Sequence, residues 1–365
     1  MLQTNPFITI RVDGLHRSSL NLNTGSGEDR QTLLIDDIRL IKWVCQLKSR
    51  VTYDDALKIT RELFGISELQ AHEMIAMGVQ NQILVEEVSQ NLDINNGRVW
   101  EEFGWRDALD FHLAVRDLQF NPDREDYLSA MTAYLKASEV GLDEPPLGPY
   151  KEKYSGAEYI DLPTVSDGVM RSTLREALHA RTPFMPYSKI AVTWEQFSEL
   201  MQQVYGIQSE TNGLLGTFYR RTSPSGGARH PIETYIVIND VENIPPGLYH
   251  YSPKHHRLEI MRQDNLREIA GTLCFEKTGI KTASAVVFLT VRWSRHMWKY
   301  RYARSYRMVL FDVGHLVQTH VLTGCAIGIR SYLCPSVHDS ECLQFLNLEE
   351  DCDEGVVFAI GIGPM

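Results

Sequence analysis

The sequence contains little that would build a metal site or a hydrolase. Its six cysteines include no CxxC pair, whereas structural zinc sites usually place two ligands about two to four residues apart. It also contains no HExxH run and no serine, histidine and aspartate spacing of the kind that hydrolases use. We therefore expect free thiols and no bound metal.

Long hydrophobic runs are missing as well. The longest run, residues 283–291, carries two polar interruptions and is far shorter than the roughly 20 apolar residues that span a bilayer. The first residues, MLQTNPFITIRV, lack the basic and then apolar segments with which a secretory signal begins. These absences predict a cytoplasmic protein without a membrane segment.

Positive charge is in deficit. The chain has 36 lysines and arginines against 47 aspartates and glutamates, which gives a formal net charge of −11. Nucleic-acid binding needs a broad basic surface that neutralises phosphates, so nucleic acid is not an expected partner.

The composition that remains is that of an ordinary globular protein, with 43% hydrophobic and 23% charged residues. Because 365 residues exceed the usual size of a single core, we expect a small domain and a large one. Prolines that interrupt helices lie near the end of residues 91–165, which predicts a partly helical connector there. The predicted domains are then residues 1–90 and 166–365.

Residues 1–90 predict a small winged-helix-like module. Strand-like stretches precede three helical segments, and another follows them; these stretches are residues 7–12, 18–22, 32–35 and 82–88. Such a module can bind DNA or hold a peptide along an exposed strand edge. Acidic residues on its second helix, Asp54, Asp55 and Glu62, favour the peptide, with a purely structural role as the alternative.

Local signals mark the three helices of this module. Thr52, followed by Asp55, and Ser67 are expected to cap the second and third helices. The first helix carries an apolar residue at every third position, which predicts one buried stripe. The stripe comprises Ile38, Ile41, Val44 and Leu47.

Residues 166–365 alternate between helical and strand-like patterns, which predicts an α+β fold with a sheet sandwiched by helices. Helices are expected at residues 168–179, from Thr193 with Gln196 as its capping partner, and at 303–326. The expected strands are residues 233–239, 247–252, 258–261, 283–291 and 355–363.

The segment RRTSPSGGARHPIE, residues 220–233, is the most informative in the chain. Gly226 and Gly227 let the backbone approach a ligand closely, while Ser225 and Arg229 supply a hydroxyl and a fixed cation. These groups suit a flat, anionic cofactor, although the segment is neither a Walker loop nor GxGxxG. A plain surface loop is the alternative.

Lys299 and Tyr300 are adjacent where a loop passes into the long helix. Neighbours on a helix point about 100° apart, so both side chains reach one site only where the backbone bends. Beside arginines such as Arg295, Arg301 and Arg304, either side chain would lose its proton more easily and could act as a base. The alternative is a basic helix start neutralised by Asp312.

Three segments carry a family resemblance through their order and spacing. They are PSGGARHPIE (224–233), PPGLYHYSPKHHRLE (245–259) and KYRYARSYRMVLFDVGHLVQTHVLTGCAIGI (299–329). Together with FGWRDALDFHLAVRDLQF (103–120), they resemble the SagB/McbC-type dehydrogenases of the nitroreductase superfamily. Those enzymes oxidise azoline rings in peptides.

The resemblance implies a nitroreductase-like α+β homodimer that binds FMN between its subunits. Its expected substrate is a ribosomally made precursor peptide that carries thiazoline or oxazoline rings, and a cyclodehydratase complex is an expected partner. The N-terminal module would then resemble the clamp that recognises a leader peptide by strand addition. The alternatives are a flavin reductase that uses NAD(P)H on dehydroamino acids or nitro compounds, and a non-catalytic peptide-binding scaffold.

The resemblance also implies roles for individual residues. Lys299 and Tyr300 coincide with the lysine and tyrosine pair associated with catalysis in that family. The expected FMN-binding residues are Arg181, Thr182, Arg221, Pro224, Ser225, Gly226, Gly227, Arg229, Gly328, Ile329 and Arg330.

The sequence departs from the family pattern at the flavin phosphate. Phe184 replaces the second arginine of the family's early signature, and Ala228 stands where many nitroreductases have an asparagine. The chain also ends at GIGPM without the basic residue that often follows there. Arg330 or Arg221 is expected to serve as the phosphate cation instead.

Overall fold

The chain forms two compact units in a computed structural model, Met1–Phe120 and Asn121–Met365. The finer division predicted at residues 90 and 165 stays a prediction. The structure describes residues 2–5, 8–13, 19–24, 31–35, 37–48, 51–81, 83–86, 99–100, 102–115, 124–141, 146–152, 154, 156–164, 172–182, 186–188, 190–213, 216–348 and 353–365.

The first unit contains the strands that the sequence predicts. A three-stranded antiparallel sheet runs in the order β2, β3, β4, and β1 pairs with β5 in a separate antiparallel pair. The strands are β1 Leu2–Thr4, β2 Thr9–Asp13, β3 Ser19–Thr24, β4 Gln31–Ile35 and β5 Leu84–Glu86.

The helices of the first unit begin where the capping residues predict. Thr52 Oγ1 accepts a hydrogen bond from the backbone N–H of Asp55 at 3.1 Å, and Ser67 forms a capping box with Gln70. Such caps satisfy N–H groups that the first helical turn leaves without partners. The helices are α1 Arg39–Gln46, α2 Tyr53–Phe64, α3 Glu68–Gln80 and α4 Arg106–Ala114.

The core of this unit corrects part of the predicted apolar stripe. Val44 and Leu47 are buried as expected, but Ile38 is 71% exposed because α1 begins only after it. The largest buried side chain is instead Trp43, whose indole N–H donates to Thr60 Oγ1 at 2.8 Å. A regular spacing of apolar residues therefore located the helix but missed its main packing residue.

The second unit is built on a seven-stranded sheet in the order β13, β14, β12, β9, β10, β11, β6. All the neighbouring strands pair antiparallel. The strands are β6 Tyr159–Asp161, β9 Ile232–Ile238, β10 Gly247–Ser252, β11 Arg257–Gln263, β12 Ala285–Arg292, β13 Ile329–Cys334 and β14 Glu354–Pro364. The edge strand β6 comes from the segment predicted as a connector.

A short hairpin, β7 Ser209–Gly213 with β8 Gly216–Arg220, leads into the glycine-rich segment. The helices of this unit are α5 Arg124–Glu139, α6 Leu174–Ala180, α7 Trp194–Tyr205, α8 Arg267–Leu273, α9 Thr278–Lys281, α10 Trp293–Met297, α11 Ser305–Ala326 and α12 Asp339–Phe345. Among the described helices, none is both long and apolar enough to cross a membrane.

Helices cover both faces of the large sheet. On one face, Ile236 and Val287 pack in a cluster with residues of α7 and α11, among them Phe197 and Val313. On the other face, Val237 and its neighbours pack with residues of α8, α9 and α12. Side chains of a strand point alternately to the two faces of its sheet. Because helices cover both faces here, β9 is buried along its whole length. The predicted sheet sandwiched by helices is confirmed.

Two groups of charged side chains are buried within this core. His250 lies between Glu233 and Glu259, with ring nitrogens 3.1 and 2.9 Å from their carboxylates, and Arg295 pairs with Glu233. Nearby, Lys151 Nζ donates to Glu354 at 2.6 Å. Buried charges persist only when they are paired and hydrogen-bonded, so these contacts fix how the sheet and its flanking segments pack.

We predict that His250→Gln destabilises the protein by about 3–5 kcal/mol, because it removes the cation that lies between two buried carboxylates. Burial alone lowers the pKa of His250, but its hydrogen bonds to Glu233 and Glu259 outweigh burial and raise that pKa. A group with a raised folded-state pKa stabilises most below its unfolded pKa, about 6.5, and less as the pH rises through its folded value.

The difference between wild type and His250→Gln should therefore be largest near pH 6 and shrink at higher pH, as measured by urea unfolding. His179→Gln on the exposed end of α6 is the control and should match wild type. A difference in the free energy of unfolding that stays constant across the pH range would show that His250 is not protonated in the folded protein.

Candidate active site

A buried aspartate fixes the glycine-rich segment against the long helix. Ser225 Oγ donates to Asp312 Oδ2 at 2.6 Å, and the Gly226 N–H lies 3.2 Å from both carboxylate oxygens. The N–H of His230 donates to Ser225 Oγ at 2.9 Å. Burial raises the pKa of Asp312. The alternative in which Asp312 neutralises a basic helix start is wrong, because this carboxylate binds the loop.

Gly227 lies at the centre of the site and has the left-handed φ of 59° that favours glycine. A Cβ at this position would lie 2.5 Å from Tyr300 Oη and 2.6 Å from Lys299 Nζ. Lys299 Nζ also lies 3.4 Å from the carbonyl oxygen of Gly227. The absence of a side chain therefore makes the space in which the two predicted catalytic groups meet.

Lys299 and Tyr300 lie between α10 and α11, where the backbone bends as predicted. Both side chains are half-buried, and Lys299 Nζ lies 5.6 Å from the centre of the Tyr300 ring. The structure thus brings both residues to one place beside the glycine-rich segment.

The electrostatic surroundings of the pair differ from the sequence expectation. Arg295 is fully buried and binds Glu233 and the carbonyl oxygen of His230, so its charge is already neutralised. Burial and the neighbouring Tyr127 raise the pKa of Tyr300 to about 12. The expectation that Tyr300 loses its proton easily is wrong, and Tyr300 is a neutral phenol that can donate a hydrogen bond.

Helix α5 contributes a residue that the sequence reading missed. The ring of Tyr127 lies 5.7 Å from Lys299 Nζ, and the ring of Tyr134 lies 3.8 Å from the guanidinium carbon of Arg301. Cations are attracted to aromatic faces at such distances. Only the fold brings α5, which precedes Lys299 by more than 150 positions, to this segment.

His296 is the second residue that sequence reasoning missed. It is 1% exposed, and its ring centre lies 4.8 Å from that of Tyr300. Neither ring nitrogen has a hydrogen-bond partner among the residues that the structure describes. Burial, together with Arg229 and Lys299, lowers the pKa of His296 to about 4. No sequence motif identifies this histidine, because what distinguishes it is its burial in the fold.

A cavity of about 570 Å³ opens beside Tyr300 and His296. Aromatic and aliphatic side chains form most of its wall. The lining residues are Trp293, His296, Met297, Tyr300, Arg301, Tyr302, Ala303, Ser305, Tyr306 and Val309.

The other predicted residues of the glycine-rich segment are largely engaged with the protein itself. Arg229 donates to the carbonyl oxygens of Leu147 and Arg295 at 2.8 and 3.1 Å. Arg221 donates to the carbonyl oxygen of Pro149 at 2.9 Å, and burial lowers its pKa to about 10. Pro224 lines a small cleft with Arg221 and Ser225. The two arginines thus hold the proline-rich segment in place.

A second group of predicted residues surrounds a cavity of about 400 Å³. Arg181 and Thr182 line it after the end of α6, and Arg330 Nη1 lies 3.5 Å from Thr182 Oγ1. Arg330 Nε and Ser331 Oγ are buried atoms that have no hydrogen-bond partner within the described ranges. A cation and hydroxyls around a cavity with unsatisfied donors suit an anionic group.

The remaining predicted residues, Gly328 and Ile329, directly precede Arg330 and do not line the second cavity. Gly328 has a φ of 80° and makes the turn from α11 into β13. Ile329 is fully buried in the core, so only its main chain could face a ligand. Phe184 lies outside the described residues.

The predicted cofactor residues therefore fall into two groups along α11. Asp312 holds the glycine-rich segment, whereas Gln318 lines the second cavity. Six helical positions separate these residues, which places them on faces about 120° apart. No contact between the two groups is seen in the described part of the chain. That one cofactor touches both groups stays a prediction.

Comparison with known proteins gives the family. The sequence model described as "Nitroreductase family" matches residues 185–364. Trifolitoxin-processing protein TfxB of Rhizobium leguminosarum bv. trifolii is 38% identical over 140 residues, which cover 37% of this chain and 37% of TfxB. Trifolitoxin operon protein TfxC of the same bacterium is 22% identical over 352 residues, covering 91% of this chain and 95% of TfxC.

Microcin B17-processing protein McbC of Escherichia coli is 33% identical over 138 residues, which cover 36% of this chain and 50% of McbC. The chain thus spans about a third of TfxB and half of McbC. These matches agree with the helix-covered antiparallel sheet and with the resemblance found in the sequence. Residues 185–364 form a nitroreductase-family domain.

Proposed function

We propose that this protein is an FMN-dependent dehydrogenase that oxidises thiazoline or oxazoline rings in a peptide to thiazoles or oxazoles. One observation carries the proposal: Lys299 Nζ and Tyr300 Oη converge on the backbone of Gly227, beside a cavity and inside a nitroreductase-family domain. A basic amine and a neutral phenol at one point are the groups that proton removal from a ring carbon needs.

The residues present fit FMN in two respects. Around the second cavity, Arg181, Thr182 and Arg330 would hold the phosphate, with Arg330 Nε and Ser331 Oγ as buried donors that have no partner among the described residues. At the glycine-rich segment, the backbone of Gly227 lets Lys299 Nζ and Tyr300 Oη come to one point, where they would face a bound flavin ring. When bound, FMN supplies the hydride acceptor, a function that no protein side chain provides.

The protein itself must remove a proton and hold the ring. Conversion of an azoline to an azole removes one hydrogen as a hydride and a second, from the adjacent ring atom, as a proton. Lys299 would take this proton at Nζ, while Tyr300, with a pKa raised to about 12, stays protonated and donates a hydrogen bond. Such general-base help accelerates proton transfer by about 10²- to 10⁴-fold.

The peptide nature of the substrate is part of the proposal. Two of the relatives are named for processing trifolitoxin and microcin B17. By this analogy, the substrate is a precursor peptide, and a homodimer working with a cyclodehydratase complex is the proposed assembly. The N-terminal module would bind the leader of that peptide along a strand edge.

The proposal is tested by mass spectrometry of an azoline-bearing peptide incubated in air with the flavin-loaded protein and without NADH. We expect wild type to remove two hydrogen atoms, about 2 Da, per ring. Lys299→Ala should slow this reaction by at least about 10²-fold and retain its flavin, because only the base is lost. Lys254→Ala, at a lysine 42% exposed, is the control and should match wild type.

Each alternative has its own result in this assay. An active, flavin-loaded Lys299→Ala protein would remove Lys299 from the mechanism. Strict dependence on NADH with a gain of hydrogen would identify a reductase. A colourless protein that cannot be reconstituted with FMN would indicate a scaffold.

Gly227→Ala tests the convergence of the pair directly. The new methyl group would overlap Tyr300 Oη and Lys299 Nζ and displace both, and small misplacements can cost about 10²-fold in rate. We expect this loss in the same assay, together with a fall of a few degrees in the unfolding temperature, because alanine is strained at the left-handed φ of this position. Gly156→Ala is the control, because nothing lies within 4 Å of its added methyl group. Full activity of Gly227→Ala would show that the pair does not act at this point.

Arg330→Ala tests the phosphate site. Loss of a charge-assisted hydrogen bond costs about 1.5–3 kcal/mol, so FMN affinity should fall roughly tenfold to a hundredfold. Flavin fluorescence titration of the flavin-free protein measures this change. Arg175→Ala on the exposed face of α6 should leave the affinity unchanged. Equal FMN affinity of Arg330→Ala and wild type would place the phosphate elsewhere.

A further inference from the structure

The cavity beside Tyr300 is built to hold a flat apolar group. Trp293 and Tyr306 stack in its wall with ring centres 5.5 Å apart and planes at 26°, and Tyr302 meets Tyr300 edge to face at 6.1 Å. Val309 closes the wall from the start of α11. Aromatic walls of this kind bind planar rings through dispersion and stacking.

His296 is the polar group of this cavity that lacks a protein partner. It is almost fully buried, and the described residues offer no hydrogen bond to either of its nitrogens. Burying a polar group without a hydrogen bond costs free energy, so such a group in a cavity wall indicates a missing ligand atom. A Cβ at Gly226 would lie 3.0 Å from His296 Cε1, so the ring is held between the glycine-rich segment and Tyr300.

We propose that this cavity is the subsite for an uncharged azole or azoline ring of the peptide, and that His296 donates a hydrogen bond to the nitrogen of that ring. This inference rests on the proposed function and adds to it the residue that recognises the ring. His296 would be a specificity-determining residue, separate from the pair that moves the proton.

The chemistry of the site fits this ligand. The lowered pKa of His296, about 4, keeps the imidazole neutral near pH 7, so it has one N–H to donate. A neutral donor can bind a ring nitrogen without placing a positive charge beside the base that is to take the proton. Tyr300 belongs both to the cavity wall and to the pair at Gly227, so a ring held here lies next to the groups that would act on it.

The test compares two probe peptides that the enzyme cannot oxidise. One is a short blocked peptide containing a thiazole, and the other replaces the thiazole by a phenylene ring, which has the same flat shape but no nitrogen. Isothermal titration with the flavin-loaded protein gives the dissociation constant of each probe. We expect wild type to bind the thiazole probe more tightly than the phenylene probe.

Substitutions then locate the preference. His296→Phe should weaken binding of the thiazole probe by roughly three- to tenfold, the effect of one hydrogen bond, and leave the phenylene probe unchanged. His296→Asn keeps a donor and should retain most of the preference. His338→Phe, at a half-buried histidine that stacks on Phe275 away from this cavity, is the matched control.

The inference is overturned if wild type shows no preference for the thiazole probe, a comparison that requires no variant to fold. It is also overturned if His296→Phe binds both probes as wild type does. The proposed function fails separately, when wild type binds the thiazole probe with the stated preference but leaves an azoline peptide unoxidised in air.

Discussion

The candidate site depends on the hydrogen bonds between Asp312 and the glycine-rich segment. This carboxylate accepts hydrogen bonds from a hydroxyl and a backbone N–H of a segment that precedes it by more than 80 positions. Asp312 belongs to α11, and α11 begins shortly after Lys299 and Tyr300. The contact therefore fixes the position of Gly227 relative to the helix that follows the two residues. One buried carboxylate thus sets the distance between the two halves of the site.

Arg295 connects the candidate site to the large sheet. Its guanidinium binds Glu233 on β9 and the carbonyl oxygen of His230, while its own carbonyl oxygen accepts from Arg229. The charge is compensated inside the protein, so Arg295 acts as a structural tie. Its neighbour His296 has no hydrogen-bond partner for its ring nitrogens in the described structure. Of these two adjacent residues, Arg295 is held by the protein, and His296 is the one that we propose contacts the substrate ring.

Local signals in the sequence predicted local structure well. The caps at Thr52, Ser67 and Thr193 and the main strands of the large sheet are confirmed, because each depends on residues close in sequence. Lys299 and Tyr300 were found because they are adjacent and because the segments around them resemble a family.

The sequence could not reveal contacts between distant segments. Tyr127 reaches Lys299 only through the packing of α5, and the short edge strand β6 is defined by its partner β11. The neutralisation of Arg295 by Glu233 likewise joins positions more than 60 residues apart. The sequence shows which cationic side chains are close along the chain. Only the fold shows which of them are paired with an anionic side chain.

The ion pair between Lys151 and Glu354 limits which segment of this chain could be transferred to another protein by recombination. The segment that matches the family model starts at residue 185, yet the carboxylate of Glu354 near its end is buried and is neutralised by Lys151, which precedes the segment. A recombination that transferred only the matched segment would carry a buried anion without its counter-ion. Natural exchange of this domain would therefore have to include the proline-rich stretch upstream or replace Glu354 at the same time.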